Sequence, residues 1–217
     1  MADPLLKPPT RSQPVVARYS IRAGNGMQLA GTVLGLGLVW TALHGKSRSY
    51  RRTVGMVTGW SAVYLSSHAC AHWAVGRMVG IEFQDYAIQL GTANPEQYPV
   101  GMRSVMRRLP FWSVRTEPRS RRAAGRWPEA LMFAAGDTST TVCTLAIAYA
   151  SVRHRVPWSR MFAAVMVGWS AIKTMATLHN EKGDYAKART ALRRRPQSAV
   201  QGPLTASGHL PANGGAN

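Results

Sequence analysis

Four long apolar runs, separated by strongly basic segments, dominate the pattern of this chain. Asn25 to Leu43 carries no charge and Val54 to Ile81 only Arg77. Ala130 to Val152 holds only Asp137, and Pro157 to Leu178 only Arg160 and Lys173 near its two ends. Each run approaches the roughly 20 residues that a helix needs to cross a hydrocarbon core. Small residues crowd the runs, as in GTVLGLGL and AIAYAS, which suits close helix packing in lipid and would weaken helices in water. The pattern predicts an all-α polytopic membrane protein. Its four transmembrane helices lie at about 25–44, 54–81, 130–152 and 157–178 within a membrane domain of residues 25–180, joined by an interfacial basic loop.

Outside the runs the pattern changes character. IEFQDYAIQL mixes β-formers with aromatics and fits a short strand or an interfacial turn, and NPEQYPVG is turn chemistry that ends it. The stretch from Met102 to Ala130 alternates Arg with Met, Val, Leu, Phe and Trp. It fits a segment lying in the membrane interface, with Trp112 and Trp127 at headgroup level and arginines reaching phosphate; a solvated basic loop is the alternative. A basic N-terminal segment covers residues 1–24. DYAKARTALRRR, within 181–195, reads as a basic amphipathic helix, and the Pro-, Gly- and Ala-rich tail 196–217 reads as disordered.

Composition alters this picture only once the charges are placed. The mean hydropathy of −0.14 looks soluble because basic segments offset apolar runs. The net charge of +18 would suit nucleic acid, but the positive residues concentrate in the N-terminal segment, the middle loop and the tail. Topology and attraction to anionic lipid headgroups account for that distribution, so membrane lipids and a membrane protein partner, not nucleic acid, are the expected contacts. With four spans the three basic segments share one side, which puts both termini in the cytoplasm of a multi-pass protein of the cell inner membrane. The first twenty residues lack a signal-peptide pattern, so the first span is expected to act as its own insertion signal. Cys70 and Cys143 both fall inside apolar runs and read as packing residues, not as a disulfide.

The candidate chemistry lies in the second run. His68 and His72, spaced i, i+4, share one helix face, and two imidazoles in a membrane helix are costly unless they have a role. Both can reach one ion, with zinc the natural choice. A third ligand must come from elsewhere. Asp137 is preferred, because a carboxylate inside an apolar run needs a cation. The cluster His179, Glu181 and Asp184 is the other source, although Gly183 can end the fourth helix and Asp184 can cap the amphipathic one. Bis-imidazole haem is disfavoured, since no second span carries an interior histidine, and six histidines are too few for a histidine-rich di-iron oxygenase.

The stretch from His68 to Phe83, a histidine pair in a membrane helix followed by a small-residue turn and Gly80, Ile81 and Phe83, resembles the H-E-x-x-H helix and its exit in the site-2 protease family of intramembrane zinc metalloproteases. The resemblance covers about sixteen residues, and the remainder looks like a small bacterial integral membrane family. It implies that His68 and His72 hold zinc and that a carboxylate on a later helix, here Asp137, completes the site. Where the family has its catalytic glutamate, this chain has Ala69. The expected protein is therefore a non-catalytic, metalloprotease-like membrane protein that binds a metal or a partner within the bilayer. Two alternatives stand: an active metalloprotease with a displaced base, and an accessory structural subunit of a membrane complex.

Overall fold

The structure, a computed structural model, describes residues 14–91, 100–108, 110–179 and 183–194. The tail 196–217, Glu181 and most of the NPEQYPVG turn lie outside the described residues. The elements run β1 (Val15–Tyr19), α1 (Ile21–His44), α2 (Ser49–Met78), β2 (Phe83–Leu90), α3 (Val100–Met106), β3 (Pro110–Thr116), α4 (Pro118–Ala124), α5 (Arg126–Arg153), α6 (Ser159–His179) and α7 (Asp184–Arg193).

The molecule is mostly helical, but all-α needs correcting. β1, β2 and β3 form an antiparallel sheet in that order, with Tyr86 of β2 opposite Tyr19 on one side and Val114 on the other. The reason lies in the middle segment, expected as an interfacial or solvated loop. PFWSVRT has the period-two alternation of β-formers that a strand requires, and β2 supplies an edge for it. The N-terminal segment is likewise shorter than expected. Val15 begins a strand, and the Ser20 hydroxyl accepts from the Ala23 N–H at 3.2 Å, so α1 starts at Ile21.

Three stretches are long and apolar enough to cross a membrane: Ile21–His44, Arg126–Arg153 and Ser159–Arg193, which begins with α6. The fourth expected run forms α2, which is long but the least apolar of the four long helices. Ser61, Ser66, Ser67, His68 and His72 interrupt it. Burial explains how that polarity is carried. Gln28, Asp137, Thr140, Thr144, Ser151 and Ser170 are buried, while Leu29, Leu34, Trp40, Val142, Val165 and Ile172 are exposed. Polar side chains therefore look inward and apolar ones outward.

The sheet fixes one end of the bundle. α2 ends at Gly80, whose φ of 83° is left-handed; the Gly80 N–H bonds Arg77 O and the Ile81 N–H bonds Gly76 O. This satisfies carbonyls left open by the helix end and turns the chain into β2. Buried Tyr86 then lies against Gly24 and donates its hydroxyl to Asn25 Oδ1 at 2.6 Å, docking β2 on the start of α1. Burial pushes the Tyr86 phenol above its ordinary pKa. At the other end Val39, Ala42, Met56, Val63, Ile147 and Val156 form an apolar cluster with Cys143 packed against it, and both cysteines are free thiols.

The α1–α2 crossing rests on two glycine pairs spaced i, i+4: Gly31 and Gly35 on α1, and Gly55 and Gly59 on α2. A Cβ on Gly35 would lie 2.7 Å from the Gly59 carbonyl oxygen, and a Cβ on Gly59 would lie 2.7 Å from that of Gly35. Backbone cannot rotate away as a side chain can, so a methyl at either site must spread the helices. We expect Gly35→Ala to destabilise the protein by about 1–3 kcal/mol through overpacking. Gly37, two residues away, faces open space, so Gly37→Ala should be neutral or stabilising by up to about 1 kcal/mol. Denaturant titration of the purified protein checks the pair, and equal effects would contradict the close crossing.

Candidate metal centre

α2 carries His68 and His72 on successive turns of the face that packs against α5. The His72 Nδ1 lies 2.7 Å from the Met132 carbonyl oxygen. A carbonyl can only accept, so Nδ1 carries a proton, and in its neutral form the ring would present a lone pair on Nε2. The ring reaches this position because residue 136 is glycine; a Cβ there would lie 2.2 Å from His72 Nε2. One α5 carbonyl and one missing methyl thus fix the orientation of the imidazole.

Three donor atoms converge in front of it. His68 Nε2 is 3.3 Å from His72 Nε2, and Asp184 Oδ2 is 3.1 Å from the first and 3.0 Å from the second. Among the described residues, His68, His72 and Asp184 form the group of metal-ligating side chains able to share one ion. Four ligands at about 2.0–2.1 Å around a tetrahedral zinc stand about 3.3 Å apart, so the spacing fits. The neutral His72 lone pair and the Asp184 carboxylate are both acceptors. At 3.0 Å they need a positive charge between them, either a proton or a metal ion.

Asp184 reaches the site from α7. Gly183 occupies the N-cap, and the Asp184 side chain turns inward to the histidines. α7 lies along α5, with Ala188 and Ala191 against Ala130. Arg194 pairs with Glu129 at 2.9 Å and anchors the far end. Lys187 holds the second Asp184 oxygen at 3.1 Å.

Asp137, the preferred third ligand from sequence, is buried beside the group without joining it. Its Oδ1 is 2.9 Å from Lys173 Nζ and 3.9 Å from His68 Nδ1. Lys173 also donates to Thr140 Oγ1 at 2.5 Å and lies 5.0 Å from the centre of the Tyr64 ring. The charge of Asp137 is thus met by a lysine on α6, while the carboxylate faces the far nitrogen of His68. Metal-bound histidines commonly have a carboxylate in that outer position. His179 bonds its own Met175 carbonyl at 2.8 Å and stays exposed.

The open side of the three ligand atoms faces a cavity of about 500 Å³ between the bundle and β3. Arg115, Arg121 and Lys187 line it together with both histidines. Comparison with protein-family models, with curated proteins and with solved structures finds no match. The reading of the site therefore rests on its geometry.

Sequence reasoning brought the two histidines together and preferred Asp137 as the third group, whereas the structure sets Asp184 beside both; the Gly-Asp context of Asp184 reads equally well as a helix cap. Lys173 gave a usable signal, since a cation inside an apolar run calls for an anion such as Asp137. Gly136 gave none that one sequence can supply. The structure predicts that Gly136→Ala displaces the His72 ring without removing a ligand, costing about 1–3 kcal/mol. The nitrogen chemical shift of the His72 imidazole should lose the signature of its Met132 hydrogen bond. Gly168, with open space around it, provides the Gly168→Ala control, which should leave that shift in place.

Proposed function

We propose that the chain is an integral membrane protein that holds a divalent metal, zinc by ligand type, through His68, His72 and Asp184. The observation that carries this reading is the convergence of three donor atoms at 3.0–3.3 Å around an imidazole whose far nitrogen is already committed to the Met132 carbonyl. Two imidazoles and one carboxylate are a ligand set suited to zinc, and three protein ligands leave one position for an exogenous group. Bound there, the ion would supply Lewis acidity toward an oxygen ligand in the cavity. His72 is oriented by Met132, His68 faces Asp137, and Asp184 is held by Lys187.

Proteolysis is not part of this proposal. Ala69 occupies the place where the resembling family has its base and is 1% exposed, so packing fills the position. Loss of general-base assistance is typically worth about a hundredfold to ten-thousandfold in rate.

The membrane reading extends to four spans, with α2 as the fourth. At 30 residues and 1.5 Å per residue, α2 is about 45 Å long. Its exposed large side chains include Val54, Val57 and Leu65, and its histidines lie toward α5 and α7. On α5, exposed Trp127 and Tyr149 are separated by about 33 Å, close to the roughly 30 Å hydrocarbon thickness that aromatic girdles bracket. The sheet, α4 and α7 then share the cytoplasmic side of the inner membrane with both termini. Reporter fusions after Ser47 and after Arg155 should lie outside and one after Gly125 inside; an outside Gly125 fusion would overturn this arrangement.

The metal is tested by elemental analysis of protein purified in detergent without chelator. Wild type should carry about one zinc per chain, and His72→Ala and Asp184→Asn should lose it. Asp137→Asn should keep most of the metal but lower stability by about 3 kcal/mol, because Lys173 is left buried without its anion. A folded, metal-free wild type would leave a proton bridging His72 and Asp184 and would end the zinc proposal. Loss of metal in Asp137→Asn at unchanged stability would return Asp137 to the ligand set.

A further inference from the structure

The cavity in front of the metal group has a charge balance of its own. Asp85, on β2, is shared by Arg115 at 3.3 Å and Arg18 at 3.6 Å. Glu129, at the start of α5, is shared by Arg194 at 2.9 Å and Arg121 at 3.4 Å. Each carboxylate therefore serves two guanidinium groups, and one positive charge is left over at each. Arg115 and Arg121 both line the cavity with Lys187, whose Asp184 partner also faces two imidazoles. The Arg121 Nε is buried with no hydrogen-bond acceptor. Its nearest acceptor is Glu129 Oε1 at 3.4 Å, a long ion-pair contact that leaves the Nε–H without a well-formed hydrogen bond.

The arginines are placed, not merely present. β3 holds Arg115 in register opposite Asp85. Arg121 is carried by α4, whose Glu117 caps the helix by accepting from the Ser120 N–H, and whose Ser120 hydroxyl accepts from the Glu82 N–H at 2.6 Å. Hydrogen bonds from the backbone N–H groups of Ser120 and Arg119 hold the Glu117 carboxyl below its ordinary pKa. Two independent elements thus bring arginines to the wall of one space of about 500 Å³.

We infer that this cavity is a binding site for a phosphate group, the anion whose geometry suits paired guanidinium forks and an ammonium. The chemistry of recognition does not depend on the metal. The source of the ligand follows from the membrane reading: the cavity lies near the start of α5, where exposed Trp127 marks headgroup depth, so the phosphate of an anionic lipid is the occupant within reach. Free phosphate offers the same chemistry and is separated by the test.

Full-length protein in detergent is titrated with phosphatidic acid, phosphatidylglycerol, phosphatidylcholine and inorganic phosphate, and adducts are counted by native mass spectrometry. The two anionic lipids should bind in preference to phosphatidylcholine. Arg115→Gln and Arg121→Gln should each weaken them about 10-fold to 100-fold, as expected for losing a charge-assisted fork. Arg122→Gln removes the same charge from an exposed neighbour on α4 and should have little effect. Arg121→Lys keeps the charge without the fork and should fall between. Competition by inorganic phosphate would identify the phosphate group itself as sufficient, whereas its failure to compete would identify the lipid headgroup. Losses in Arg115→Gln and Arg121→Gln no greater than in Arg122→Gln would overturn the inference. Arg115 pairs with Asp85 and Gln84 and Arg121 with Glu129 and Thr116, so neither variant removes a proposed metal ligand. Zinc content measured on the same samples separates failure of this site from failure of the metal reading.

Discussion

The closeness with which α2 approaches its two neighbours governs the rest of the molecule. On one side Gly35 and Gly59 bring the α1 and α2 backbones into contact; on the other, Gly136 lets the His72 ring lie against α5. A methyl group at any of these positions would push α2 outward. The Met132 hydrogen bond would then stretch, and His68 would swing relative to Asp137. The histidines are positioned by the absence of side chains opposite them, which is why a rigid helical scaffold can hold two imidazoles at one point.

That packing also explains how so many polar groups persist inside. Breaking a buried charge pair by removing one partner leaves the other uncompensated, at a cost of about 3–5 kcal/mol. Here the buried carboxylates have partners on other elements: Asp137 on α5 meets Lys173 on α6, Asp184 on α7 meets both α2 histidines, and Glu129 meets arginines from α4 and the end of α7. The pairs join helices that apolar contact alone would leave free to slide. They also give α2 its unusual balance, with polar residues facing neighbours and Val54, Val57 and Leu65 facing outward.

The long helices were legible because apolar length is a local property, and their starts and ends fall within a few residues of the runs that predict them. The histidine pair was legible for the same reason, since i, i+4 spacing fixes a shared face without knowledge of tertiary structure. Gly80 and Ile81, which carry part of the resemblance to the protease helix exit, also have a local role: they end α2 with a left-handed glycine. What could not be read was pairing across distance. β3 needed β2 as a partner, and the arginines flanking it in sequence obscured an alternation that was present. The choice between Asp137 and Asp184 turned on which carboxylate the tertiary packing brings to both histidines: Asp184 reaches them from α7, while Asp137 turns to Lys173, 36 residues along the chain.

The origin of the third ligand has a thermodynamic consequence. His68 and His72 belong to the central helix, whereas Asp184 belongs to α7, a ten-residue helix held by small alanine contacts and by Arg194 at its far end. An isolated helix of that length is marginal, so α7 draws its stability from docking. A cation shared by all three residues, as proposed, would bind the docked form in preference to the undocked one and would therefore stabilise docking by the same free energy that docking contributes to its binding. On the proposed metal reading, the site and the seating of α7 on α5 would be a single equilibrium, and a group entering the cavity beside Lys187 would act on both.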